Sequence, residues 1–486
     1  MSFLLLNALD RDASLQEKLS SNLSVWNHDL AVRLLIMAAV LVATMMMRKL
    51  RKTWLRQLEL NDWIALAHKQ RDNKMHQVLS LTTVAMNRQL WTASETSDLI
   101  RAGKSSATDN IAYLSRQCRT YGRADKGING ITEEFYDDAY ESASRLDIRS
   151  SDQKPLLGVP ICVKDCIGIK GSLSTGGLAC RLHRRDPYDA LVITALKQAG
   201  GIPLVKGNVV QGMGLSESVN RIWGRSRNPW DLDRTPGGSS SGDAALVSSG
   251  CVPLSVSADG AGSIRIPASF CGVVGFKPSP ARLSSNGCMR PKKDNKFGST
   301  LCVPAVIGPM ARSVDDCALF MKAVFSSAVY RCDRNIPPLN FDERAYRDTS
   351  KLKVGYFITD SFMDPCATGK RALKEAITAL EQQGHTCVPF QPPTDGWHHN
   401  KLFVGITQAE GNMKSTREAL AGEPMIPDYA PLVGAAAVPN FIRPIAQFLL
   451  PKRIGHLLSL SSKLCCGMGE LSNYVHINSC FISCFR

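Results

Sequence analysis

The sequence has few aromatic residues and lacks the usual spacings of metal ligands. Phe, Trp and Tyr make up 7% of its 486 residues, and its Lys and Arg residues are mostly scattered, which does not favour a nucleic-acid surface despite a net charge of +15. No C-x-x-C pair and no H-x-x-x-H pair occurs, and Cys162-x-x-x-Cys166 has no second cluster close to it in the sequence that would complete four ligands. We therefore expect no nucleic-acid partner, no bound metal and no other cofactor.

One apolar run is long enough to cross a bilayer. Residues 30–47 read LAVRLLIMAAVLVATMMM, with Arg33 as the only charge. A buried core helix is the alternative, whereas a cleaved signal peptide fits poorly because a polar segment precedes the run and no small-residue cleavage site follows it. The basic cluster Arg48-Lys49-Leu50-Arg51-Lys52, with Arg56, should stay cytosolic by the positive-inside rule. We expect a single-pass protein whose bulk faces the cytosol, with its 16 cysteines reduced.

From residue 155 onward, short apolar runs alternate with helical patterns. This alternation predicts an α/β protein with a mixed sheet covered by helices. A capping box at Thr92-Ala-Ser-Glu95 predicts a helix through Ile100 that ends at Gly103. The predicted strands are 157–163, 202–206, 352–358 and 385–390, and the predicted helices are 189–199 and 371–383.

Two further stretches have helical patterns. Residues 48–90 are basic and carry an apolar or interfacial face. Residues 438–464 carry an apolar stripe with a basic rim. Such a stripe is typical of a core helix, and the basic rim also suits an interfacial membrane helix.

The stretch RTPGGSSSGDAALVSSG, residues 234–250, raises the question of a serine nucleophile. Its Gly238-Ser239-Ser240-Ser241-Gly242 fits the G-x-S-x-G elbow of α/β-hydrolases with Ser240 as nucleophile. An elbow needs a buried strand directly before it, whereas here a polar segment with two prolines precedes the glycines. The elbow is therefore excluded on context, and a linker or turn remains the alternative.

Two other places carry candidate chemistry. Lys164 follows a predicted strand in an apolar setting, where desolvation disfavours the charged amine and could leave a neutral base, although a lysine at a strand end is ordinarily solvated. Residues 255–268, SVSADGAGSIRIPA, place Gly260, Ala261 and Gly262 directly before Ser263. Such small residues allow successive N–H groups to face a developing oxyanion. The alternative is that they form an ordinary glycine turn.

These two loops together resemble a known signature. GGSSSGDAALVSSG followed by the pattern D-x-A-x-SIRIPA is similar to the signature of the amidase signature family of serine hydrolases. It departs from the usual pattern at Ser257 and at Gly260-Ala261, where the substitutions are small and should preserve the turn. The blocks GVPICVKDCIGIKGSLSTGGL, NVVQGMGLSESVNRIWGRSRNPW, PASFCGVVGFKPS and LKVGYFITD resemble the family's animal branch that hydrolyses fatty acid amides. The resemblance runs from about residue 108 to about residue 464.

The resemblance implies a role for each candidate residue. It assigns the catalytic base to Lys164, the proton bridge to Ser239 and the nucleophile to Ser263, with a cis peptide bond before the bridging serine. It also implies an oxyanion hole from the backbone of Gly260, Ala261, Gly262 and Ser263, and a substrate contact at Met213.

The resemblance also implies a domain layout. The fold it implies is the amidase signature α/β fold, in which a twisted mixed β-sheet lies between layers of α-helices, here with an N-terminal transmembrane helix. The segments are a polar one at 1–29, the transmembrane helix at 30–47, a basic helical connection at 48–104, the amidase domain with its membrane-cap helices at 105–464, and a tail at 465–486. The tail does not resemble the family, whose domain normally continues with further strands and helices, so we expect apolar edges to be left exposed.

The implied function is membrane-bound hydrolysis of fatty acid amides, namely N-acylethanolamines and primary fatty amides, to the free fatty acid and an amine or ammonia. The partners would be the substrate, membrane lipid of the endoplasmic reticulum or another endomembrane, and a second copy in a homodimer. Three alternatives stay open. They are an amidase that acts on small amides such as glutamine, an inactive truncated isoform, and a non-catalytic membrane-bound binding protein.

Overall fold

A computed structural model describes residues 13–74, 76–80, 90–123, 127–148, 154–289, 304–325, 327–362, 364–407, 414–429 and 433. Its helices are α1 Ala13–Asn73, α2 Ala93–Arg101, α3 Ala107–Tyr121, α4 Tyr136–Ile148, α5 Leu191–Gln198, α6 Ser241–Ser248, α7 Arg265–Cys271, α8 Val314–Val324, α9 Ser327–Cys332, α10 Glu343–Tyr346, α11 Ala367–Gln382, α12 Gly396–Thr407 and α13 Lys414–Ala419. Its strands are β1 Ile131–Glu134, β2 Pro160–Lys164, β3 Ile202–Gly207, β4 Val219–Asn220, β5 Gly224–Arg225, β6 Leu254–Asp259, β7 Val274–Gly275, β8 Val306–Ala311, β9 Lys353–Tyr356 and β10 Thr386–Pro389.

The chain divides into two compact units, Met1–Asp62 and Trp63–Arg486. The described part of the first unit is residues 13–62 of helix α1, on which the basic cluster 48–52 is exposed. Among the residues that are described, no helix is both long enough and apolar enough to span a bilayer. The side chains at 13–36, 38, 39 and 42 lie outside that description, so the transmembrane helix at 30–47 stays a prediction. The predicted cap at 438–464 and tail at 465–486 also lie outside the described residues.

The second unit is built on a six-stranded mixed sheet with the order β1-β3-β2-β6-β8-β7. Strand β2 lies parallel to both β3 and β6, while β1, β8 and β7 run antiparallel to their neighbours. Because parallel neighbours end at the same edge of a sheet, the carboxyl ends of β2 and β6 meet there. Lys164 is the last residue of β2 and Asp259 is the last residue of β6, so both belong to this edge.

Alternation along β2 assigns the two faces of the sheet. Ile161 and Val163 pack in one core cluster with residues of α5 and α8, whereas Cys162 packs in a second cluster with residues of α3, α4 and α6. Successive side chains of a strand point to opposite faces, so the sheet is covered by helices on both sides. Lys164 has the same parity as Cys162 and therefore faces the side that α6 covers.

The predicted α/β alternation is confirmed. Each of the four predicted strands and both predicted helices is present within a few residues of its expected bounds, as β2, β3, β9, β10, α5 and α11. The Thr92 capping box is also confirmed, because the Thr92 Oγ1 accepts from the Glu95 N–H at 3.2 Å and the Thr92 N–H donates to Glu95 Oε2 at 2.8 Å. One difference concerns β9 and β10, which form a separate two-stranded parallel sheet.

Candidate active site

Lys164 ends β2 with its amine inside the protein. The side chain is 1% exposed, and Nζ donates to Ser239 Oγ at 2.9 Å and to the Ala258 carbonyl at 3.0 Å. Burial lowers the pKa of Lys164 below its usual value of 10.5, and the nearby Cys166 and carboxylates offset this only in part. A buried amine with a lowered pKa and a hydroxyl as its partner has the chemistry of a general base.

Ser239 is held beside this amine by a loop that only glycine allows. The peptide bond between Gly238 and Ser239 is cis, as the family resemblance implies. A Cβ at Gly238 would lie 2.1 Å from the Glu217 carbonyl oxygen, so no larger residue fits at this position. Ser239 is 1% exposed, and helix α6 begins two residues later at Ser241.

Ser263 lies in a second loop that contacts the first one. The Ser240 N–H donates to the Ser263 carbonyl at 3.3 Å, which ties the two loops together next to Ser239. Ser263 is only half-buried, unlike Ser239 and Ser240. Among the described residues, no hydrogen bond joins the Ser239 and Ser263 hydroxyls. The structure therefore brings Lys164 and Ser239 into direct contact and places Ser263 in the adjoining loop.

The carboxylate of Asp259 fixes the loop that carries Ser263. It accepts the N–H groups of Gly262 at 2.7 Å and Ile264 at 3.1 Å, and it receives the Arg265 guanidinium through two bonds of 3.0 Å. Burial alone would raise the pKa of Asp259, but the bonds from Arg265, Gly262 and Ile264 outweigh burial and lower it to about 2. The loop is thus tied to the end of β6 by a group that stays ionised at ordinary pH.

The hydrogen bonds to Asp259 reduce the number of amides that are available for the predicted oxyanion hole. Of its four amides, that of Gly262 already donates to Asp259, so it is not free to face a substrate oxygen in this conformation. The amides of Gly260, Ala261 and Ser263 remain as candidate donors. A carboxylate three residues before a glycine in a short loop is the signal that predicts such a bond from sequence, and the sequence-based reasoning missed it.

Met213 lies in a tight turn and packs against the core cluster that contains Ile161 and Val163. It has a φ of 56°, and the preceding Gly212 has a φ of 63°. The Gly212 N–H donates to the Gly176 carbonyl at 2.8 Å, and the Met213 Cε lies close to Gly176. The Gly176 N–H donates in turn to the carbonyl of Asp165, the residue after Lys164, at 3.0 Å. Backbone hydrogen bonds therefore link the Met213 turn to Asp165, the residue that follows strand β2.

Two buried carboxyls near Lys164 were not predicted from the sequence. Asp243 accepts from the Cys162 thiol at 3.2 Å, and burial raises its pKa to about 6 although the Lys164 charge opposes that rise. Asp165 accepts from the Thr175 hydroxyl, and burial raises its pKa to about 7 against the opposing charge of the buried Lys206. The residue types alone gave no signal, because a carboxyl is mostly exposed unless the fold buries it.

Among the described residues, no group of three or more His, Cys, Asp or Glu side chains is arranged to hold a metal ion. The eleven described cysteines are free thiols. The described site therefore consists of lysine, serine and carboxyl groups with backbone amides.

Comparison with known proteins gives consistent matches. The sequence profile of the Amidase family matches residues 112–447. The vitamin D3 hydroxylase-associated protein of Gallus gallus is 34% identical over 327 residues, which cover 67% of this chain and 69% of that protein. The fatty-acid amide hydrolase 1 of Sus scrofa is 34% identical over 326 residues, which cover 66% of this chain but only 55% of that enzyme.

A solved structure of a fatty acid amide hydrolase has the same fold. It superposes with a TM-score of 0.65 at 23% sequence identity, over 77% of this chain and 69% of that one. At this level of identity the likeness supports the architecture of sheet and helices.

Proposed function

Because this chain belongs to the amidase family, we propose that it hydrolyses amide bonds through an acyl-enzyme on Ser263, with Lys164 and Ser239 as the proton relay. The observation that carries this proposal is the 2.9 Å contact between the buried Lys164 amine and the Ser239 hydroxyl, beside the loop of Ser263. A neutral lysine of lowered pKa can take a proton, whereas a solvated lysine at neutral pH cannot.

Proton transfers along the relay account for both halves of the reaction. Lys164 takes a proton from Ser239, which takes one from Ser263 as the Ser263 oxygen attacks the carbonyl carbon. The proton then returns through Ser239 to the nitrogen of the tetrahedral intermediate, because an amine anion is a very poor leaving group. Water activated by the same relay hydrolyses the acyl-enzyme and frees Ser263.

The negative charge of the intermediate needs donors at the carbonyl oxygen. We assign this role to the amides of Gly260, Ala261 and Ser263. The bonds that the Gly262 and Ile264 N–H groups donate to Asp259 hold the same loop in place before the substrate arrives, and such preorganisation is the main source of oxyanion stabilisation. Removing one donor of this kind in other enzymes costs about 10²- to 10³-fold in rate.

We further propose fatty acid amides as substrates, namely N-acylethanolamines and primary fatty amides. In this proposal Met213 forms an apolar wall of the substrate site, together with Met289, and both side chains lie close to Gly176. Flexible thioether side chains suit a long alkyl chain, whereas glutamine would need polar partners on that wall. The relative from Sus scrofa is named for hydrolysis of fatty acid amides, which supports the same substrate class here.

Membrane attachment is the last part of the proposal. The run at 30–47 would span an endomembrane such as the endoplasmic reticulum, with the exposed basic cluster 48–52 and the catalytic unit on the cytosolic side. Membrane fractions washed at alkaline pH should retain the full chain, and a variant that lacks 30–47 should be released more readily. Equal release of the two chains would contradict the span.

A substrate comparison tests the catalytic proposal. The full chain, purified in detergent, is assayed with a primary fatty amide, an N-acylethanolamine and glutamine, beside the Ser263→Ala variant. We expect the two lipid amides to be preferred and the variant to lose about 10³-fold or more in rate. A preference for glutamine would contradict the assignment of fatty acid amides as substrates. A Ser263→Ala variant as active as the wild type would contradict the assignment of Ser263 as the nucleophile.

A further inference from the structure

A short segment before the predicted membrane cap is fastened onto the Met213 turn. Tyr429 is 1% exposed; its hydroxyl donates to the Gln211 carbonyl at 2.8 Å and accepts from the Gly214 N–H at 3.1 Å. The two partners flank Gly212 and Met213, so a single phenol bridges the turn. Burial raises the pKa of Tyr429 above its usual value, so the phenol keeps the proton that it donates.

Other contacts hold Tyr429 where it can form this bridge. The buried side chain of Gln211 accepts from the Ile426 N–H at 2.9 Å and donates to the Pro424 carbonyl at 3.1 Å. The Glu423 carboxylate accepts the N–H groups of Ala179 at 2.7 Å and Cys180 at 2.8 Å. Residues 423–429 are therefore positioned by polar contacts on two neighbouring loops, and the clasp is defined here as these seven residues.

The turn needs an external restraint because of its backbone conformation. Met213 has a φ of 56°, a left-handed conformation that side chains other than glycine and asparagine rarely adopt. Such a conformation persists only where surrounding contacts hold it, so the bonds made to this turn bear on where the Met213 side chain lies. The Gly214 N–H, which donates to the Tyr429 hydroxyl, belongs to the residue immediately after Met213.

We propose that Tyr429 is a positioning residue for substrate binding, which holds the 211–214 turn in its left-handed conformation and thereby sets Met213 against Gly176. This inference rests on the proposed function, because Met213 contacts substrate only if the amidase assignment holds. It makes the clasp a determinant of acyl-chain recognition. The clasp acts on the turn, while Lys164 and Ser239 keep their own contact.

The structural part of the proposal is tested without any activity. In Tyr429→Phe the ring stays but the Gly214 N–H loses its acceptor, so its hydrogen exchange should become about tenfold faster or more. The full chain in detergent is compared with Tyr136→Phe, which removes another buried hydroxyl, one that lies 3.3 Å from Glu134 in the second core cluster. Exchange of the 211–214 amides that is unchanged in Tyr429→Phe, or equally faster in Tyr136→Phe, would overturn the proposal.

The functional part of the proposal is tested by measuring KM and kcat separately, because a residue that positions a substrate contact should change KM more than kcat. We expect Tyr429→Phe to raise KM for a long-chain fatty amide about tenfold and to leave kcat for a short-chain amide within about threefold. In a Met213→Gly background, where the left-handed conformation costs nothing, adding Tyr429→Phe should change KM little. Additive effects of the two changes, or equal losses on both substrates, would overturn the role of Tyr429 in positioning Met213.

The two hypotheses fail in different ways. If the wild-type chain hydrolyses no amide but Tyr429→Phe still speeds exchange at Gly214, the proposed function is wrong and the restraint on the turn is real. If the wild-type chain is active and Tyr429→Phe changes neither the hydrogen exchange of the 211–214 amides nor KM, the positioning role of Tyr429 is wrong and the amidase assignment stands.

Discussion

Removing the Ser239 hydroxyl should separate amide hydrolysis from ester hydrolysis. In Ser239→Ala, Lys164 keeps its bond to the Ala258 carbonyl but loses the 2.9 Å bond through which it reaches the Ser263 loop. Attack on either substrate then lacks base assistance. Breakdown of the amide intermediate also lacks proton delivery to nitrogen, whereas an ester can expel its alkoxide with far less help.

The magnitudes follow from this difference. A positioned acid or base contributes about 10²- to 10⁴-fold to a rate. We therefore expect the variant to lose about 10²-fold with an ester and about 10³- to 10⁴-fold with the amide of the same acyl group. The stability cost should stay near 1 kcal/mol, because one buried hydrogen bond is lost and the backbone is unchanged.

The assay compares kcat/KM for a matched amide and ester, with thermal unfolding to check the fold. Ser241→Ala is the control, since it removes an equally buried hydroxyl whose bond is a 3.4 Å contact to the Glu217 carbonyl. It should behave like the wild type with both substrates. Equal losses on amide and ester in Ser239→Ala would refute the reasoning that Ser239 carries a proton to the leaving group.

Three further predictions concern charge and packing. Because Lys164 must be neutral and burial lowers its pKa, kcat/KM should rise with pH and level off below pH 10.5, the usual lysine value. A rise that continues beyond pH 10.5 would contradict the lowered pKa of Lys164. In Asp259→Asn an amide NH2 group replaces one of the carboxylate oxygens that accept the loop N–H groups, so the loop loses an acceptor and kcat should fall about 10²-fold. A variant as active as the wild type would show that the loop does not need this carboxylate. Gly207→Ala would put a Cβ 2.1 Å from Asp243 Oδ1 and should lower the free energy of unfolding in urea by about 1–3 kcal/mol, whereas Gly369→Ala in helix α11 meets nothing closer than 3.5 Å and should raise it by about 0.5–1 kcal/mol.

Periodicity and capping predicted the main elements because these are local properties. Strand β2 is an apolar run that ends at Lys164, and helix α2 begins at a Thr92 capping box that the sequence displays in four residues. Their lateral order in the sheet depends on pairings between distant strands, which no local pattern encodes. The pairing of β9 with β10 in a separate sheet is an example.

In the candidate site, too, some contacts could be predicted from the sequence and others could not. The contact of Lys164 with Ser239 was expected from the family resemblance, and the geometry agrees with it. The bond from Gly262 to Asp259 could have been anticipated from their spacing of three residues. The bond of Tyr429 to the Gln211 carbonyl could not have been anticipated, because the two residues are more than 200 positions apart and meet only after the chain has folded.

Labelling with a fluorophosphonate probe tests the central claim most directly. The probe phosphonylates a serine whose oxygen has been activated, with loss of fluoride, so peptide mapping of the labelled full chain reports which oxygen attacks. We predict label on Ser263, none in Ser263→Ala, and much slower labelling in Lys164→Met. Label on Ser240, or no label on the folded wild-type chain, would contradict the assignment of Ser263 as the nucleophile driven by Lys164 through Ser239.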